Sequence, residues 1–176
     1  MNNQNQKNIV IFGSSQPESG SSQYRQAFEL GRVLAQAGYR IANGGYGGTM
    51  TATAQAAREY GSTTIGVTCK AFGRSGPNHY IDREILTQNL PERLDTLIHL
   101  ADACVVLPGS TGTLLELATC WELINKRFLK KMPIICLSDY WKPVIDTITR
   151  FAETESDFIW FADKPEDVIQ LLRDHL

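Results

Sequence analysis

The chain has 176 residues, 43% of them hydrophobic, and a formal net charge of -2. That length fits one domain whose core is large enough to need neither disulfide nor metal staple. The near-neutral charge gives no bulk electrostatic basis for a nucleic-acid groove or a membrane surface, and no apolar run is long enough to span a bilayer.

Residues 1–6 read as a polar tail with no signal-peptide apolar stretch, which places the expected protein in the cytoplasm, and residues 7–176 as a single domain. Lys7 to Gly13 reads as a first strand, followed by the loop Ser14 to Gly20 and a helix from about Ser22 to Ala37 that stops at Gly38. Tyr39 to Ala42 is a second strand, broken by Asn43-Gly44-Gly45-Tyr46-Gly47-Gly48. A helix over Thr49 to Tyr60 follows, closed by Gly61. Thr63 to Thr68 is a third strand, and Phe72 to Asn78 an exposed loop. A short strand near Glu84 to Thr87 and a helix from Pro91 to Ala101 lead into the apolar strand Ala103 to Leu107. Beyond it, Thr113 opens a helix with apolar residues at Leu114, Leu117, Trp121 and Ile124. The remainder alternates as strand Pro133 to Leu137, helix Tyr140 to Glu153, strand Phe158 to Phe161 and helix Pro165 to His175.

Strands alternating with helices, without linker or repeat, predict an α/β fold: a Rossmann-like, doubly wound, mostly parallel sheet with helices on both faces. Ligands of such sheets lie beyond the carboxyl ends of the strands, near the reversal of strand order. Loops at Ser14-Ser15, at Gly44 to Gly48, before Arg93 and at Gly109 to Thr113 should therefore converge on one crevice.

The segment Pro108 to Glu116 carries the chemistry. Pro108 ends the strand, Gly109, Ser110, Thr111 and Gly112 leave room for a ligand against the backbone, and a helix start offers free N–H groups to an anion. Glu116 lies about one turn into that helix, where it either complements the helix dipole or performs chemistry beside the anion. Arg93 lies in the first turn of its helix, where a cation is misplaced relative to the dipole unless an anion or Glu116 accompanies it. The glycine pattern of dinucleotide dehydrogenases is absent after the first strand, and no P-loop occurs. Cys69, Cys104, Cys120 and Cys136 are widely spaced and read as reduced, mostly buried thiols rather than a zinc or redox site. His79, His99 and His175 are scattered, Lys126, Arg127, Lys130 and Lys131 suit a solvated helix end, and Trp121, Trp141 and Trp160 suit core or subunit contacts.

Together these loops resemble the lonely guy (LOG) family of nucleoside 5'-monophosphate phosphoribohydrolases, over about Lys7 to Asp139. The family's Pro-Gly-Gly-x-Gly-Thr-x-x-Glu matches Pro108 to Glu116 with Ser110 for the second Gly. Its earlier glycine-rich loop is similar to Asn43 to Thr51, and its Met-x-x-Arg-Lys segment falls on Leu90 to Leu94, with Leu94 in place of Lys. The resemblance implies that Arg93 and Glu116 form a catalytic pair that cleaves the N-glycosidic bond of a purine nucleoside 5'-monophosphate such as AMP. It also implies a phosphate held by Gly109, Ser110, Thr111, Gly112 and Thr113, with Gly45, Gly47 and Gly48 closing the opposite side and Ser14 and Ser15 near sugar or base. No metal or cofactor is expected. The implied partner is a small-molecule nucleotide, neither nucleic acid nor membrane, and the implied assembly a homodimer, for which the apolar helix faces around Trp121 offer an interface. Molybdenum-cofactor carrier proteins have similar loops and bind without hydrolysing, which is the non-enzymatic alternative.

Overall fold

The computed structural model describes residues 6–152 and 154–176. One sheet is formed by β1 (Asn8–Phe12), β2 (Arg40–Asn43), β3 (Thr64–Cys69), β4 (Arg83–Thr87), β5 (Ala103–Val106), β6 (Ile134–Leu137) and β7 (Ile159–Ala162). The strand order is β4-β3-β2-β1-β5-β6-β7, and every neighbouring pair is parallel. The helices are α1 (Ser22–Gln36), α2 (Thr49–Glu59), α3 (Leu90–Leu100), α4 (Thr111–Asn125), α5 (Lys142–Phe151) and α6 (Pro165–His175). This is the expected Rossmann-like doubly wound architecture.

The alternation of strand side chains builds two cores. Ile9, Ile11, Ala103, Val105, Ile135 and Leu137 face α1, α2 and α6, whereas Val10, Phe12, Cys104, Val106, Ile134 and Cys136 face α3, α4 and α5. Both sets are almost fully buried, which explains the unbroken apolar runs of the central strands. The chain winds outward from β1 through β2 and β3, then returns from β4 to β5 and winds the other way. Right-handed crossovers put the helices of the two directions on opposite faces. The reversal between β1 and β5 leaves a crevice above their carboxyl ends, bounded by Ser14 on one side and Pro108 to Ser110 on the other.

Several boundaries differ from expectation. β2 continues through Asn43, because that side chain is satisfied locally: its amide donates to the Met50 carbonyl at 3.0 Å and to Thr53 Oγ1 at 3.1 Å, and its oxygen accepts from the Gly45 N–H at 2.8 Å. α4 starts at Thr111 rather than Thr113, since Ser110 is the extended residue whose carbonyl accepts from the Leu114 N–H at 3.0 Å. Glu116 therefore lies in the second turn, beyond the reach of a simple first-turn dipole role. α5 starts at Lys142 rather than Tyr140, with Pro143 in its first turn. The expected end of that helix at Glu153 and residues 1–5 of the polar tail lie outside the described residues.

α1 and α2 meet without side-chain spacing at Gly31, where an added Cβ would lie 2.5 Å from the Thr53 carbonyl oxygen and 3.0 Å from Ala56 Cβ. Gly31→Val should therefore cost about 1–3 kcal/mol by urea unfolding. Unchanged stability would show that the two helices do not meet there.

Candidate active site

Four strand-end loops and the starts of α3 and α4 enclose a cavity of about 240 Å³. Ser14, Ser15, Ser110, Gly112, Thr113, Arg93 and Glu116 line it, together with Tyr46, Met50, Phe72, Arg74, Leu90, Leu94 and Leu115. Its size lies just below the ~300–1,000 Å³ typical of small-molecule pockets.

Arg93 and Glu116 come from different helices and meet at the back of this cavity. Asn89 caps α3 through its side-chain oxygen, which accepts from the Glu92 N–H at 2.9 Å, and this fixes the first turn that carries Arg93. The Arg93 side chain is 8% exposed, and its Nε donates to the Val67 carbonyl at 2.9 Å. Its Nη1 donates to Glu116 Oε1 at 3.3 Å. The guanidinium is flanked by the rings of Tyr46 and Phe72, with Cζ 5.9 and 5.7 Å from their centroids. Room for it exists only because residue 44 is Gly: any Cβ there would overlap Arg93 Nη2 and crowd Met50 Sδ.

Glu116 is 13% exposed. Burial penalises its charged form more than Arg93 favours it, so its carboxyl rises from 4.5 to about 7. Arg93 lowers the value, but desolvation wins, and at neutral pH the group is poised between its two forms.

The start of α4 opens into the same cavity. The Ser110 side chain makes no capping bond, so the first N–H groups of α4 have no side-chain acceptor from their N-cap, unlike those of α1 and α3, which Ser21 and Asn89 serve. The start of α2 is different. There the Ser14 carbonyl accepts from the Thr49 N–H and hydroxyl, each at 3.0 Å. Gly48, with φ 64°, lies against Ser14 and Ser15, and Gly45, with φ 75°, lies on Gly66 and Thr68 of β3. Gly45 and Gly48 therefore let loops and strands approach one another, and neither they nor Gly47 line the cavity. Gly109 and Thr111 do not line it either: Gly109 lies beneath the Thr113 side chain.

Tyr46, Phe72 and Arg74 had no assigned role from sequence. The Tyr46 hydroxyl accepts from the Cys69 N–H at 2.8 Å, which holds the ring in place, and the Arg74 guanidinium lies 4.6 Å from its centroid. Among the described residues lining the cavity, the charged side chains are Arg74, Arg93 and Glu116. An aromatic residue inside a glycine-rich loop, and an arginine inside the next one, were the available signals. Elsewhere, all four cysteines are buried and unbridged, and Trp121 is buried in the core. No group of three or more His, Cys, Asp or Glu among the described residues could hold a metal ion, and no described helix is long and apolar enough to cross a membrane.

The fold and this crevice define a Rossmann-like protein with a site at the strand-order reversal. The SLOG cluster4 family profile matches residues 6–169, and the chain belongs to that family, as a divergent member of the LOG/SLOG phosphoribohydrolase-like proteins. It is 27% identical over 153 residues to a cytokinin riboside 5'-monophosphate phosphoribohydrolase of Rhodococcoides fascians, covering 83% of this chain and 76% of that one. Against the protein of the same description from Mycobacterium tuberculosis it is 38% identical over 97 residues, 54% of this chain and 52% of that one. Among solved structures, the molybdenum cofactor binding protein of Rippkaea orientalis has the same fold, with a TM-score of 0.79, 20% identity and coverage of 97% and 98%. DNA processing protein A of Helicobacter pylori shares it more distantly, with a TM-score of 0.65, 16% identity and coverage of 97% and 82%.

Gly44→Ala should cost about 1–3 kcal/mol in chemical denaturation through displacement of Arg93. Gly47→Ala, whose added Cβ would meet only the Ser15 carbonyl at 3.4 Å, should be nearly silent. Equal losses would contradict this account of the arginine's seat.

Proposed function

We propose that this protein hydrolyses the N-glycosidic bond of a purine nucleoside 5'-monophosphate, with AMP as the simplest substrate, giving free base and ribose 5-phosphate. The observation that carries the reading is the buried Arg93–Glu116 pair facing the same cavity as the open start of α4. The match to named phosphoribohydrolases supports it.

In this mechanism the phosphate rests on the first N–H groups of α4, near Ser110, Gly112 and Thr113, where the helix dipole favours an anion. Cleavage sends the bonding electron pair to the departing base and leaves oxocarbenium-like positive charge on the ribose, as in other glycoside hydrolyses. The ionised Glu116 carboxylate faces that charge in a water-poor cavity, where the attraction is stronger than in solution. It takes a proton from the water whose oxygen bonds to the anomeric carbon, and passing that proton on to the departed base gives the neutral free base and restores the carboxylate. Arg93 holds the carboxylate in one orientation, its planar fork fixed by Val67 with the rings of Tyr46 and Phe72 nearby. Tyr46 and Phe72 offer aromatic surface to the base. The partner in this reading is a small-molecule nucleotide rather than a nucleic acid, and the protein acts as a cytoplasmic homodimer. The exposed Leu115 beside the cavity supports association through the outer face of α4.

Glu116→Gln should lower base release from AMP by about 10²–10⁴, the usual worth of a general acid or base. Turnover within about tenfold of the original would remove Glu116 from the chemistry, and tight binding without any release would favour a carrier.

The pH profile is a second test. The free protein needs Glu116 ionised, so kcat/KM should rise with pH and level off above about 7. A fall over the same range would assign the protonated acid instead. A rise centred near ~6 that persists in Glu116→Gln would report the nucleotide phosphate.

A further inference from the structure

We propose that the site continues past Ser14 and Ser110 into a second compartment that takes a neutral, hydroxyl-rich group, a sugar, joined through phosphate to the nucleoside in the first. The inference rests on the reading that α4 holds the phosphate, and it makes the ligand class a nucleoside diphosphate sugar rather than a bare monophosphate.

The second cavity, of about 500 Å³, shares Ser14 and Ser110 with the first as common walls. The first lies under the loops that follow β1, β2, β3 and β5; the second lies under those that follow β1, β5 and β6. The two flank the β1/β5 reversal, the position at which doubly wound sheets accommodate two-part ligands. A phosphate on the first N–H groups of α4 stands at their junction, so a substituent on it has one roomy exit.

The chemistry of the second compartment differs from that of the first. Its walls carry Gln16, Glu18, Gln23 and Tyr140, with no Lys or Arg among the described residues that line it. Glu18 and the amides suit sugar hydroxyls, while Glu18 would keep both phosphates of such a ligand at the start of α4, so that only the sugar enters. Ser21 already spends its side-chain oxygen on the Tyr24 N–H at 3.2 Å, so the start of α1 is capped from within the protein. Tyr140 is 52% exposed yet held from two sides. Its hydroxyl donates to the Gly109 carbonyl at 3.0 Å, and its ring meets Trp141 edge-on at 4.9 Å and 88°. Trp141 is itself anchored, donating to the Leu107 carbonyl at 3.0 Å. An aromatic face fixed in this way beside hydroxyl and amide groups is suited to the C–H face of a sugar ring.

The test is calorimetric titration of the wild-type protein with AMP, ADP and ADP-glucose. ADP-glucose should bind about tenfold more tightly than ADP, the worth of one or two net hydrogen bonds with ring contact. Tyr140→Ala and Glu18→Ala should each remove most of that gain and leave AMP affinity within about twofold. ADP-glucose binding no tighter than ADP, with AMP still bound, would overturn the second compartment alone. Variants that weaken AMP as much as ADP-glucose would also overturn it. Failure of all three nucleotides to bind would overturn this inference together with the phosphate site on which it rests.

Discussion

The guanidinium of Arg93 occupies the volume that a side chain at position 44 would fill, and from there it reaches a carboxylate that is nearly as buried as itself. Much of the site follows from this one placement. Burying two opposite charges is expensive, and a pair of this kind persists when further contacts support it, here the hydrogen bond from Arg93 to the Val67 carbonyl and the nearby rings of Tyr46 and Phe72. Attraction within the pair does not fully repay desolvation. The residual cost appears at Glu116, whose carboxyl is raised to about 7, and an acid poised near neutrality can change its protonation during a reaction.

The sheet supplies the positions. Because the chain reverses direction between β1 and β5, α3 returns across the sheet and α4 leaves from its middle, so Arg93 and Glu116 arrive on neighbouring helices of the same face. The small residues at the strand ends serve two separate purposes. Gly45 and Gly48 adopt positive φ and permit close approach of backbone to backbone, while Ser110 and Gly112 leave the start of α4 open to the cavity. In sequence these loops look alike, since a glycine needed for a turn and one needed for a ligand have the same side chain.

That ambiguity marks how far the sequence could be read. The doubly wound fold was legible because buried parallel strands and amphipathic helices have different periods, and β1, β5 and β6 have apolar residues on both faces. The strand-order reversal was expected in kind, and with it the gathering of Ser14, Arg93 and Glu116 in one crevice. The rising of the Glu116 carboxyl was not legible, because it depends on how much water the surrounding loops exclude. Nor were Tyr46 and Arg74: their contact joins the loop after β2 to the loop after β3, and no local pattern encodes such a pairing. Trp121 lies in the core, one of the two positions expected for it. Its helix is apolar over much of its circumference, so periodicity alone did not separate the face in the core from the face that carries Leu115.

The chain belongs to the SLOG cluster4 family, and the buried ion pair is the feature that would make its crevice a reactive one. The most direct test is a carboxyl-carbon NMR titration of Glu116 in the ligand-free protein, assigned with the Glu116→Gln variant. A midpoint at about 7 is the expected result, and a midpoint near 4.5 or below would contradict the claim that desolvation outweighs the attraction of Arg93.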